Sequence, residues 1–316
     1  MAPLPPVQPS LSDRLRAPVR PRRPCARALT PRPTMPGRPT ASIVIPTRAR
    51  PDYLAVTLAS VLPQAALAGA EVVVVADAGD LATGAVAQRH GARIVALAMA
   101  GANAKRNAGV AAARSELLVF VDDDVDAPLG WLDSILSGAR SVPDRDVFGG
   151  PIRARLEGGG PRACGREQAP ITTLDMGAKD RDVPFVWGAN MAIRRRALRR
   201  VGDFDETILV RGDEEEWLRR YRQGGGRIRY LASAGLVHRR SAPDSTVRKL
   251  ARAAYRHGRA ARRYDARKDS APAIWGELRT LAGCAWHTVH RRCAVGIVMG
   301  AHTAGRVHEA LTGGRQ

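Results

Sequence analysis

The sequence predicts an α/β fold with a mostly parallel central sheet flanked by helices, and two observations carry that prediction. Four short runs, "ASIVIP", "EVVVVAD", "ARIVAL" and "ELLVFVD", are β-branched or continuously apolar, the texture of strands buried on both faces. Ala- and Leu-rich stretches at helical spacing, 52–67, 80–90, 103–114 and 129–140, lie between and after them. Strand and helix alternating at this interval require right-handed crossovers, so 41–126 is predicted to form a Rossmann-like half.

The elements follow in order. Residues 1–40 hold half of the 22 prolines, interleaved with eight Arg against one Asp, which suppresses both helix and sheet and predicts a disordered basic arm. The domain is expected over 41–240, with 41–126 as a nucleotide-binding half and 127–240 as an acceptor half. Caps are expected at Asp52, Asp80 and Asn103. Residues 150–183 read as irregular and Gly-rich. "VPFVWGANMAI" then reads as a strand and turn, "RRRALRRVG" as a short helix, "GDEEEWLRRYRQGGG" as a helix closed by glycines, and "RIRYLASAGLVH" as a strand or pair of strands. Residues 241–316 form a basic helical extension. In "VRKLARAAYRHGRAARRY" an apolar stripe of Val247, Leu250, Ala251, Ala254, Tyr255, Gly258 and Ala261 faces away from Arg and Lys. A weaker helix over 274–311 is expected to be interrupted at Gly283, Gly296 and Gly300.

The formal net charge is +20, but sixteen of those charges lie outside 41–240, so the basic balance describes the flanks rather than the chemistry of the middle. Aromatic content of 4% gives few stacking platforms for single strands, and no specific nucleic-acid motif is visible. Four cysteines without CxxC spacing, or His at zinc-ligand intervals, suit a reducing compartment with no structural zinc. No signal peptide and no apolar run of 18 residues are found, so a cytoplasmic location is expected. Oligomeric state does not follow from the residues.

The chemistry concentrates where "LLVFV" runs into Asp122, Asp123 and Asp124. Two carboxylates ~5 Å apart repel by roughly 3 kcal/mol at an effective dielectric near 20, so the cluster needs a positive partner. In extended chain Asp122 and Asp124 point one way and Asp123 the other. Hard oxygens converging at a strand's carboxyl end suit Mg²⁺ or Mn²⁺; the other reading is a solvated Asp-rich loop. Pro46, Thr47, Arg48 and Asp77 end two neighbouring strands and face the same crevice.

The ordered set "SIVIPTRARPDYLAVTLASVLPQ", "EVVVVAD", "NAKRNAGVAAARSELLVFVDDDV", "VWGANMAIRRRALRRVGDFDE" and "GDEEEWLRRYRQGGGRIRYLASAGLVH" resembles glycosyltransferase family 2 over about 200 residues. The resemblance implies the GT-A fold and transfer of a sugar, with inversion, from a nucleotide-diphosphate donor to a hydroxyl acceptor, a glycan, lipid-linked or small molecule. It implies a donor site of Pro46, Thr47, Arg48, Asp77, Lys105, Arg106, Asn107, Asp122 and Asp123. A metal, Mn²⁺ or Mg²⁺, would be held by Asp122, Asp124 and His238. Glu214 falls at the catalytic base, with Asp213 and Glu215 as alternates because "GDEEEW" departs from the usual order of acids. Trp187, Gly188 and Asn190 would line the acceptor side. Ala78 stands where relatives often carry a second acid, which leaves the nucleoside open. The rival is a catalytically inert core whose basic flanks grip a membrane or nucleic acid. Peripheral contact with an anionic membrane is expected through 247–264, at the inner face; packing of that helix on the core is the alternative.

Overall fold

A computed structural model describes residues 37–98, 101–165, 170–209 and 212–313. The expected arm falls almost wholly outside them. Its last residues join the domain: the Thr40 amide donates to Gly69 O at 3.0 Å, and Arg38 pairs with Glu116 at 2.9 Å.

Strands β1 (Ser42–Pro46), β2 (Glu71–Asp77), β3 (Arg93–Leu97) and β4 (Leu117–Val121) alternate with helices α1 (Pro51–Ala68), α2 (Leu81–Arg89) and α3 (Ala102–Ala112). They pair in parallel in the order β3-β2-β1-β4, as the apolar runs require. Ile43, Val44, Ile45, Val73, Val74, Val75 and Leu118 through Val121 are fully buried. The run in β3 is half-exposed instead, because that strand is the sheet edge. Helix α3 lies so close on β1 that a Cβ at Gly109 would stand 2.3 Å from Val44.

After the two-residue β5 (Val125–Asp126) come α4 (Trp131–Ser141), β6 (Val147–Gly149), β7 (Ile152–Leu156), β8 (Arg181–Val183) and β9 (Asn190–Arg194). Then follow α5 (Arg195–Val201), α6 (Asp213–Gln223), β10 (Ile228–Tyr230) and β11 (Leu236–Arg240). Among the described residues the main sheet runs β3-β2-β1-β4-β9-β6-β10-β8, and β5-β11-β7 form a small second one. Strands β9 and β8 run against the rest. Because β9 is antiparallel to β4, its first residue Asn190 pairs with Val121, and "WGAN" enters the crevice edge beside the acidic run.

Three local expectations change. Asp80 caps α2, accepting from the Thr83 amide, but Asp52 lies inside α1 and Asn103 inside α3, where Asn103 bonds other parts of the chain. The C-terminal extension is three helices, α7 (Val247–Arg267), α8 (Ile274–His290) and α9 (Val295–Thr312). Gly283, Gly296 and Gly300 all lie within α8 or α9, and the chain turns at 291–294.

The glycines of α7 and α9 serve close packing. A Cβ on Gly258 would lie 1.9 Å from His302 O, and one on Gly305 would lie 2.1 Å from Tyr255 O. Gly258 and Tyr255 of the α7 stripe therefore face α9. Gly258→Ala is expected to destabilise the protein by about 1–3 kcal/mol, since overpacking outweighs the gain of roughly 1 kcal/mol from helix propensity. Gly283→Ala in α8, where nothing lies within 4 Å of the new Cβ, should be neutral or stabilising. Thermal unfolding of the two variants checks the opposite signs.

Candidate active site

The carboxyl ends of β1, β2 and β4 meet at one crevice, and the acidic run sits at its floor. Asp123 is buried, accepting from Thr47 Oγ1 at 2.7 Å and from an Arg50 N–H at 2.6 Å. It does not turn away from its neighbours as strand alternation suggested: the same Arg50 nitrogen donates to Asp124 Oδ2 at 3.0 Å. Arg240, at the end of β11, donates to that oxygen at 2.5 Å. The chain thus supplies part of the positive charge that the cluster demands.

The other oxygen of Asp124, Oδ1, is buried without a well-aligned hydrogen bond and stands 3.0 Å from His238 Nε2. His238 Nδ1 lies 3.2 Å from the Thr172 carbonyl. A carbonyl only accepts, so Nδ1 carries the proton and Nε2 is left to hold a proton or a metal against Asp124. Burial lowers the imidazole pKa, but Asp124 and Asp122 reverse this and raise it overall. Asp122 completes the group: ligand atoms of Asp122, Asp124 and His238 all lie within 4.8 Å of one another. Burial and the Asp124 charge push Asp122 up to about 6, against the pull of Arg106. Two oxygens and a nitrogen around a point that wants positive charge fit Mn²⁺ or Mg²⁺.

Behind Asp122 lies Arg106 of α3, buried to 4% exposure. Its guanidinium donates to Asp213 Oδ2 and to Asn103 Oδ1, and its charge acts on Asp213, Glu214 and Asp122 in that order. Gly188 is required by this group, because a Cβ there would stand 2.6 Å from the Arg106 nitrogen. The Gly188 amide donates to Glu214 Oε1 at 3.1 Å. Burial, then the adjoining Asp213, raise Glu214 well above the ordinary carboxylate range. Burial pushes Asp213 up too, but Arg106 and a hydrogen bond from Glu214 hold it at about 2. Glu215 turns outward to Lys268 at 2.9 Å.

The remaining predicted residues divide. Lys105 is buried, 2.7 Å from Asp77, and also donates to Thr47 O; Arg48 reaches Asp77 from the exposed side at 3.2 Å. Pro46 closes β1 at the crevice rim. Asn107 and Asn190 are spent inside the fold. Asn107 exchanges bonds with Phe204 and donates to Glu206. Asn190, fully buried, accepts from Trp131 Nε1 and donates to Pro151 O and Ala234 O, so the amide groups expected to face an acceptor are used as a brace. Trp187 is half-buried against Phe185 and donates to Thr173 O. Arg50 and Arg240 were missed by sequence reasoning. Arg240 lies two residues beyond His238 and so shares its side of β11, a signal the alternation of a strand could have given.

Residues 42–202 match the family described as Glycosyl transferase family 2. The chain belongs to that family. Two strains of Mycobacterium tuberculosis, CDC 1551 / Oshkosh and ATCC 25618 / H37Rv, carry proteins named pre-mycofactocin glycosyltransferase, each 33% identical over 144 residues. The match covers 44% of this chain and spans 30% of the length of those relatives. Among solved structures, a mannosyltransferase from Pyrobaculum calidifontis in complex with GDP-Man and Mn²⁺ superposes with a TM-score of 0.58 at 15% identity, over 90% of each chain. The GT-A fold expected of a family 2 chain is therefore present. Arg106→Leu is expected to cost about 3–5 kcal/mol, because it strands buried carboxylates without their counter-charge. Urea denaturation of the variant against the parent measures it.

Proposed function

We propose that this family 2 chain transfers a sugar from a nucleotide-diphosphate donor to a hydroxyl acceptor with inversion, using a divalent metal. The observation that carries the reading is the group of Asp122, Asp124 and His238 at the end of β4, whose ligand atoms all lie within 4.8 Å of one another. Family membership and the GDP-Man and Mn²⁺ in the structural relative support it. Asp122, Asp124 and His238 would hold Mn²⁺ or Mg²⁺, which when bound offsets the charge developing on the departing diphosphate. Arg48 and Asp77, with the buried Lys105 and Thr47 behind them, would receive the donor. The acceptor hydroxyl attacks the anomeric carbon as the bond from that carbon to the diphosphate oxygen breaks, and Glu214 takes the hydroxyl proton. Glu214 must first be unprotonated, and its raised pKa makes it a better base than an exposed carboxylate.

Glu214→Gln is expected to leave donor binding intact and to cut transfer by about 10²–10⁴-fold. Because the carboxyl pKa is raised, parental kcat/KM should increase with pH through that raised value, and the Gln variant should lose this limb. Asp124→Asn should lose the Mn²⁺-dependent part of donor binding. A panel of UDP, GDP and dTDP sugars, assayed by thermal shift and by transfer, supplies both readouts. Transfer by Glu214→Gln at the parental rate would exclude the base assignment.

We also propose that contact with an anionic membrane shifts from α7 to the α8–α9 hairpin. No helix among the described residues is long and apolar enough to cross a membrane. Trp275, Leu278, Trp286, Val289, Ile297 and Met299 are exposed, on the same hairpin as exposed Arg279, Arg291 and Arg292. Apolar side chains beside cations suit an anionic interface. Co-sedimentation with vesicles containing phosphatidylserine is expected for the full chain and should weaken in Trp275→Ala/Trp286→Ala. Unchanged binding would remove this reading, and a concentration-dependent dimer that buries the two tryptophans would reassign the face.

A further inference from the structure

A second group of metal-ligating side chains lies outside the crevice. Ligand atoms of Cys164, His287 and Cys293 are all within 4.8 Å of one another. The three come from separate places: Cys164 from the irregular stretch after β7, His287 from the last turn of α8, and Cys293 from the turn into α9. No spacing motif announces them, since Cys164 and His287 are 123 residues apart. Folding alone makes the group, which is why the sequence suggested no structural zinc.

The geometry suits one ion. Cys164 Sγ stands 3.5 Å from His287 Nε2. A tetrahedral zinc with sulfur at about 2.3 Å and nitrogen at about 2.0–2.1 Å holds those two atoms roughly 3.5 Å apart. Cys293 is 1% exposed, while Cys164 and His287 are half-buried, so the group is anchored from within and open to an entering ion. Two backbone features hold the same segments together. The Val295 amide donates to Arg162 O at 3.3 Å, and Arg292 adopts a left-handed φ of 48° that turns the chain back at Cys293. A non-glycine residue in that region costs of order 1–3 kcal/mol and persists where its surroundings fix it.

We propose that Cys164, His287 and Cys293 bind a zinc ion that clips the stretch around 160–165 to the α8–α9 hairpin. Binding releases the two thiol protons, and the fourth tetrahedral position goes to water or to a further donor. Thiolate and imidazole select zinc, whereas the oxygen-rich crevice suits harder Mn²⁺ or Mg²⁺, so ligand chemistry separates the two sites. This inference stands apart from the proposed transfer reaction.

The test is Co²⁺ titration of the reduced full-length chain. Thiolate-to-cobalt charge transfer in the near ultraviolet reports sulfur ligation alone, so the carboxylate crevice is silent in that band. One equivalent of Co²⁺ should produce the band, and Zn²⁺ should bleach it. Cys164→Ser and Cys293→Ser should weaken binding on the order of 100-fold or more, while Cys25→Ser and Cys284→Ser leave it unchanged. Cys164 is half-buried in an irregular stretch, so its Ser variant tests the site without emptying the core. Absence of the band in the parental chain, or its survival in Cys164→Ser, overturns the proposal. So does a Cys164–Cys293 disulfide in the isolated chain, detected as a crosslinked peptide pair by mass spectrometry.

Discussion

One guanidinium organises the functional half of this chain. Arg106 is carried by a helix packed hard on β1 and faces carboxylates from two distant parts of the sequence, Asp122 at the end of β4 and Asp213 and Glu214 at the head of α6. A buried ion of this kind stabilises little unless its partners are held, and here Asp213 and Asn103 both accept from it while the Gly188 amide holds Glu214. Gly188 also leaves room for the guanidinium. The difference between Asp213 and Glu214 follows from that arrangement. Arg106 favours charge on Asp213, and the charged Asp213 in turn favours a proton on Glu214. Two adjacent carboxyl groups of similar chemistry are thereby shifted in opposite directions.

The acidic run has a divided answer to its own repulsion. Arg50 and Arg240 pair with Asp123 and one oxygen of Asp124, leaving Asp122, the second oxygen of Asp124 and the His238 imidazole grouped around one point. Charge supplied by the chain lowers the cost of folding the crevice, and the residue of unbalanced charge is what a cation would meet. Supplying every charge internally would have closed the site; supplying none would have strained the fold.

Much of this was legible before folding because it is periodic or local. The apolar runs of β1, β2 and β4 carry their burial in their composition, and the position of Asp122 directly after one of them places it at the ligand edge. Roles that depend on three-dimensional neighbours were not legible. Asn190 and Trp187 look alike in "WGAN" as pocket-facing groups, yet Asn190 braces three segments with its amide. The stripe on α7 has the period of a surface helix, and no period reveals whether lipid, core or another helix will cover it. Gly258 and Gly305 were the sign that a helix would.

The far end of α7 reaches the same machinery. Tyr264 lies against Gly212, where a Cβ would stand 2.6 Å from its ring, and Lys268 pairs with Glu215. The basic tail thus packs on the head of α6 as well as carrying charge. Trimming the protein after β11 would therefore strip two contacts from the first turn of α6, the one at Gly212 and the one at Glu215.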